Sequence, residues 1–132
     1  MGLEAPIQVC SGLQQVYTLE QMQNILCVVV YNLKAAKLGG VLSQGMVLCA
    51  KSEGQVEFLT PPEGAVPGER VTIAGVEGEP LSAAQVSKRK VWEQVSVDLK
   101  SNTELQGTYQ GSPLQTSAGP CIVKSLQNAL IS

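Results

Sequence analysis

The strongest constraint on this fold comes from residues 32–46, N-L-K-A-A-K-L-G-G-V-L-S-Q-G-M, and from what flanks them. A continuous apolar run at 25–31 (I-L-C-V-V-V-Y) precedes this stretch, and another at 46–50 (M-V-L-C-A) follows it. Short apolar runs rich in β-branched residues predict two buried strands. The connection between them carries Lys34, Lys37, a Gly-Gly pair and Ser43-Gln44-Gly45, with no acid between Glu20 and Glu53. Cations beside glycines that permit close backbone approach suit a phosphate-bearing partner.

The remaining pattern is mostly β. Residues 6–13, 55–59 and 70–74 read as strands, 107–111 with 113–116 as a hairpin, and 121–123 as a last short strand. Pro- and Gly-rich loops are expected at 60–68 and 75–80. Thr18-Leu-Glu-Gln21 fits a capping box opening a short helix. Ser87 is positioned to cap a helix over 87–99, with Val91, Val95 and Leu99 on one face and Trp92 beside them. At 132 residues the chain forms one domain, or one domain plus an extension. Only 15% of residues are charged, which fits either a large core or an apolar surface that meets a partner.

Net charge is −2, but it is unevenly spread. Residues 34–52 carry Lys34, Lys37 and Lys51 (+3), residues 53–79 carry six glutamates against Arg70 (−5), and residues 80–100 return to +2. A chain that is acidic as a whole and basic locally can bind nucleic acid at one place and repel it elsewhere. Ordinary solvated faces would give the same pattern.

Catalytic chemistry finds little support. The chain has no histidine, so no serine or cysteine has an imidazole base. It contains no phosphate-binding glycine motif, and its paired carboxylates fall in the 53–79 stretch. Cys10, Cys27, Cys49 and Cys121 form no C-x-x-C, and neither a metal nor a cofactor is expected. Cys27 and Cys49 lie in apolar runs and read as buried small hydrophobes in a reducing compartment. The longest apolar run is too short to span a bilayer, and no signal-peptide pattern opens the chain, so a cytoplasmic protein is expected.

Few aromatics are present, which disfavours a reader that stacks many single-stranded bases and favours shape recognition of folded RNA. The candidate contacts are Asn32, Lys34, Lys37, Ser43 and Gln44, with Met46 as an apolar contact to a base or as core. Lys88, Arg89 and Lys90 form a second candidate patch, or else a solvated first helical turn.

These residues also resemble a known family. Residues 32–46 are similar to the N-L-K-P-A-K-M-R-G-V-L-S-Q-G-M segment of a tRNA-binding OB-fold domain. That domain occurs in the endothelial monocyte-activating polypeptide II family and at the C-termini of some tyrosyl- and methionyl-tRNA synthetases. V-C-S-G-L (9–13), L-E-Q-M-Q-N (19–24) and P-P-E-G-A-V-P-G-E-R (61–70) resemble further family segments. Residues 88–104 look like the C-terminal extension of the polypeptide-II-like branch.

The resemblance implies a mainly β, OB-fold-like partial barrel over 1–80. It implies an extension over 81–132 that packs on the barrel as a pseudo-dimer half, making the chain a monomer. It further implies a non-enzymatic tRNA-binding accessory of an aminoacyl-tRNA synthetase, methionyl or tyrosyl in type, within a multisynthetase complex. Docking would be shape-specific and largely sequence-independent. Two departures stand out: Ala35 replaces the family's proline and Gly39 its arginine. In addition, the chain begins at what resembles the third barrel strand. The two strands before it would come from a longer protein or another chain, or the fold is rearranged. A protein-interaction module that has lost tRNA binding is the alternative.

Overall fold

The structure, a computed structural model, describes residues 8–13, 16–73 and 81–132. The expected strand over 6–13 and loop over 75–80 lie partly or wholly outside these residues. Residues 8–10 have no regular secondary structure, yet they run hydrogen-bonded beside 42–44: the Gln44 N–H donates to the Gln8 carbonyl at 2.7 Å.

The capping box forms. Helix α1 (Leu19–Met22) starts where Thr18 Oγ1 accepts the Gln21 N–H at 3.2 Å and Gln21 Oε1 accepts the Thr18 N–H at 2.8 Å. The apolar run at 25–31 contributes only a two-residue strand, β1 (Val29–Val30), with Val28 buried at its entry. Strands β2 (Ala36–Leu38) and β3 (Val41–Ser43) pair with each other as a separate two-stranded sheet. Strand β4 (Met46–Val47) then pairs antiparallel with β1.

The second apolar run is not one strand. It breaks at Leu48, which donates its N–H to Val28 and accepts from the Leu59 N–H, before β5 (Cys49–Ser52) begins. A buried Leu48 therefore passes the chain from one sheet to another. Strand β6 (Gln55–Phe58) returns against β5, as the alternation of Val56 and Phe58 around Glu57 leads one to expect. Strand β7 (Thr72–Ile73) follows the Pro- and Gly-rich loop.

The expected helix over 87–99 is instead two helices. Helix α2 (Ala83–Lys88) is capped by Ser82, with Gln85 completing a second capping box, and α3 (Val91–Ser96) follows a break at Lys90. Lys90 sits at φ 51°, a left-handed conformation that ends a right-handed helix. Ser87 is thus inside α2, and Leu99 belongs to a strand, β8 (Leu99–Ser101). Trp92 and Val95 of α3 pack on the core.

Strands β9 (Gly107–Tyr109) and β10 (Ser112–Thr116) form the expected hairpin. Its two turn residues, Gln110 and Gly111, both have positive φ, at 51° and 85°. That pair of angles matches the right-handed twist of the flanking strands. Strand β11 (Gly119–Pro120) pairs with β10. Residues 121–123 form isolated bridges from Ile122 to Thr60 and Gln106 rather than a strand. The last strand, β12 (Leu130–Ile131), had no counterpart in the sequence reading.

The main sheet runs β11-β10-β9-β8-β12-β5-β6, with β7 also paired to β10. It curls around Leu59, Ile131, Val123, Cys49 and Cys121, all fully buried. Strand pairing crosses from the first eighty residues into the rest of the chain at β5–β12 and β7–β10.

Candidate nucleic-acid interface

The acid-free stretch folds as a hairpin. Leu38 pairs with Val41, which leaves Gly39 and Gly40 as a two-residue turn with φ 59° and 83°. Positive φ at both positions makes this a type I′ turn, the reason for the Gly-Gly pair. Residues directly opposite in an antiparallel pair share a face. Lys37 therefore stands with Leu42 on one face, and Leu38, Val41, Ala36 and Ser43 share the other. Every residue of 34–42 is exposed, including both lysines.

The sequence candidates separate into two groups. Ser43 is buried: its Oγ accepts the Cys10 N–H and donates to the Gly45 carbonyl, each at 2.9 Å. Asn32 is half-buried and its Nδ2 donates to the Leu81 carbonyl at 3.0 Å, tying the first apolar run to the segment before α2. Met46 is half-buried against the core. Gln44 is exposed, and its Oε1 accepts the Gln8 N–H at 2.9 Å. Lys34 and Lys37 are the candidates that project freely from the hairpin and its root. Ser43 and Asn32 position the segments around them, and the exposed Gln44 braces Gln8 through its Oε1.

Lys88, Arg89 and Lys90 are all exposed. They do not form a first helical turn; they span the end of α2 and the left-handed link to α3. Gln94 Nε2 donates to the Arg89 carbonyl across this link at 3.0 Å.

The sequence reading missed the apolar part of the hairpin. Leu38 is 52% exposed, Val41 44% and Leu42 45%, a large aliphatic surface beside two lysines. The signal was present in K-L-G-G-V-L, since Gly-Gly between two β-type dipeptides marks a two-residue turn.

An apolar cleft of about 570 Å³ reaches Asn32 and is otherwise lined by Val28, Val30, Leu48, Ile73, Trp92 and Leu114 among others. None of residues 34–44 lines it. Burial raises the thiol pKa of Cys27, Cys49 and Cys121, that of Cys121 to about 11, so these thiols are held protonated at neutral pH. Among the described residues no cluster of three or more His, Cys, Asp or Glu could hold a metal ion. No helix there is long and apolar enough to cross a membrane.

A family model described as "Putative tRNA binding domain" matches residues 1–70, more than half of the chain. The chain belongs to this tRNA-binding domain family. The domain is similar to the aminoacyl tRNA synthase complex-interacting multifunctional protein 1 of Mus musculus, 45% identical over 130 residues. That match covers 98% of this chain and 42% of the mouse protein. A methionine–tRNA ligase of Oryza sativa subsp. japonica, named as probable, is 47% identical over 133 residues, covering 99% of this chain and 16% of that protein. The tRNA-binding domain thus spans less than half the length of these curated relatives. The crystal structure of the C-terminal domain of Plasmodium vivax p43 superposes with a TM-score of 0.87 at 28% identity. It covers 99% of this chain and 80% of the p43 chain, which accounts for the mainly β architecture and its curled sheet.

Proposed function

We propose that this chain holds tRNA for an aminoacyl-tRNA synthetase and performs no chemistry itself. The observation that carries this reading is the β2–β3 hairpin, where Lys34 and Lys37 stand exposed in a stretch of 32 residues without an acid, within a family of tRNA-binding domains. Lys34 and Lys37 meet phosphates of folded tRNA, and Gln44 reaches sugar or phosphate from the hairpin root. Asn32, Ser43 and Met46 serve by placing that root. Lys88, Arg89 and Lys90 supply a second cationic patch at the α2–α3 link.

Tethering tRNA near a catalytic domain raises its effective concentration without any new contact to the reacting groups. Similarity to a complex-interacting protein, and to methionine– and tyrosine–tRNA ligases of which some are named as cytoplasmic, supports a synthetase partner of methionyl or tyrosyl type and a place in the cytoplasm. Residues 1–80 form the tRNA-binding part of the unit, an OB-like partial barrel. Residues 81–132 pack on it as the half that a second subunit would otherwise supply.

The test is a gel shift with total tRNA at low salt, comparing the native chain with Lys34→Glu/Lys37→Glu. The double variant is expected to lose binding; unchanged affinity removes the site. The apolar cleft favours a second reading, a protein-interaction module without tRNA binding. Light scattering separates the two: a monomer that shifts with tRNA supports the first, and a hetero-complex indifferent to tRNA the second.

A further inference from the structure

The β2–β3 hairpin stands apart from both other sheets, and it carries large aliphatic side chains on both faces. Leu38 and Val41 form a cross-strand pair at the tip of one face, and Leu42 stands opposite Lys37 on the other. All three are about half exposed. Residues 8–10 brace it only along β3, at 42–44, and a two-stranded ribbon whose tip exposes aliphatics on two faces is costly in water. The glycines at its tip have open space around them: a Cβ built on either meets nothing within 4 Å among the described residues.

We infer that this hairpin is an RNA contact with an apolar tip. In it, Leu38, Val41 and Leu42 pack on ribose and base faces of folded RNA while Lys34 and Lys37 hold the adjacent phosphates. The inference rests on the tRNA-binding reading above and names the part of the contact that electrostatics does not supply. Charge complementarity selects the occupant: the flanking side chains are cationic, and no acid lies between Glu20 and Glu53 to repel a polyanion. The geometry suits RNA as well. A ribbon whose tip is exposed on both faces can enter the wide, shallow minor groove of an A-form helix, or wedge an apolar side chain against an unstacked base. Met46 is turned into the core, so it leaves the apolar role to the hairpin.

The two contributions respond differently to salt. Phosphate contacts release counterions and set the slope of log K against log salt, whereas apolar contacts change affinity at every salt concentration without changing that slope. Total tRNA is titrated by fluorescence anisotropy over a range of potassium chloride. The proteins compared are the native chain, Leu38→Ser/Val41→Ser, Lys34→Gln/Lys37→Gln and Val66→Ser. Val66, 66% exposed on the loop after β6, serves as the control for losing an exposed aliphatic elsewhere.

The Leu38/Val41 variant is expected to weaken binding about tenfold at all salt concentrations, as loss of two half-buried aliphatic contacts requires, with the slope unchanged. The Lys34/Lys37 variant is expected to flatten the slope by roughly 1.5, two phosphates' worth. Val66→Ser is expected to match the native chain. Since Leu38 and Val41 lie outside the core, far-ultraviolet circular dichroism and the melting temperature should be unchanged in their variant.

A flattened slope for the lysine variant with native affinity for Leu38→Ser/Val41→Ser overturns the apolar contact and leaves the tRNA-binding reading standing. Native behaviour in both variants removes the hairpin as the tRNA site altogether. If Leu38→Ser/Val41→Ser alters only self-association in light scattering, or only capture on anionic phosphatidylserine vesicles, the tip serves a protein or a lipid surface and the inference is wrong.

Discussion

The carboxylate of Glu57, on β6, caps the turn that starts at Ser125. One oxygen accepts the Ser125 N–H at 2.7 Å and the Leu126 N–H at 2.9 Å, and the other accepts the Ser125 hydroxyl. Residues far apart in sequence are joined by a single side chain, and Leu126 is buried just behind it. Charge-assisted bonds of this kind are stronger than neutral ones. Glu57→Ala should destabilise the chain by about 2 kcal/mol, since it strips acceptors from two peptide N–H groups. Urea unfolding measures the loss, and Glu57→Gln should recover part of it.

A second clamp makes the fold acid-sensitive. Glu69 accepts both the N–H and the hydroxyl of Ser117. Those two bonds hold the Glu69 carboxyl below its ordinary range. For Glu57 burial pushes upward, but the two Ser125 bonds, the Leu126 N–H and the Lys124 charge together outweigh it, and its pKa also falls. A carboxylate depressed in the folded state stabilises that state fully above its unfolded pKa. The contribution fades as pH falls from the ordinary value of 4.5 through the lower folded values. Stability should therefore be flat in this respect above about pH 5.5 and decline below about pH 4.5. In Glu57→Gln/Glu69→Gln the decline should be shallower, measured by the urea midpoint against pH.

Ser101 holds the last turn of the chain. Its hydroxyl donates to the Leu126 carbonyl and accepts the Ala129 N–H at 2.9 Å, and the residue is 2% exposed. Ser101→Ala leaves a buried donor and a buried acceptor without this partner, at a cost of about 1–3 kcal/mol. Ser101→Cys should not restore it, because a thiol is a poor donor and acceptor. Thermal unfolding of the three chains checks the order.

Gly39 offers a gain of function. Its φ of 59° is left-handed, and a side chain built there meets nothing within 4 Å. The related family segment carries arginine at this place. Gly39→Arg should steepen the salt dependence of tRNA binding by roughly 0.7–0.9, one phosphate's worth, and tighten binding at low salt. The strained turn should cost the hairpin about 1 kcal/mol, with little effect on global stability since no core residue is involved. Anisotropy titrations at three salt concentrations give the slope.

The sequence was most legible where structure is local. The capping box at Thr18 and the β9–β10 hairpin depend on residues within a few positions of one another, and both formed. The helix over 87–99 failed because Val91, Val95 and Leu99 keep helical spacing, while Lys90 turns left-handed and Leu99 is claimed by pairing with Tyr109. Strand β12 carries no pattern of its own; two residues become a strand only because β5 and β8 flank them. The candidate site divides the same way. The lysines were legible because charge needs no partner to be read. The commitments of Ser43 to Cys10 and of Asn32 to Leu81 were not, because those partners lie 33 and 49 residues away.

Strand β12 also has a consequence for biosynthesis. Leu130 and Ile131 are the only ladder between β5 and β8 among the described residues: Leu130 faces both Lys51 and Lys100, and Ile131 faces Ala50. A chain is made from its N-terminus, so β5 leaves the ribosome long before its neighbour does. Throughout that interval the β5–β6 hairpin offers an open edge, with Cys49 and Ala50 not yet covered, to any other strand nearby. The β5 edge stays open for as long as residues 130–131 have not emerged, and slowing translation between β5 and β12 would lengthen that exposure.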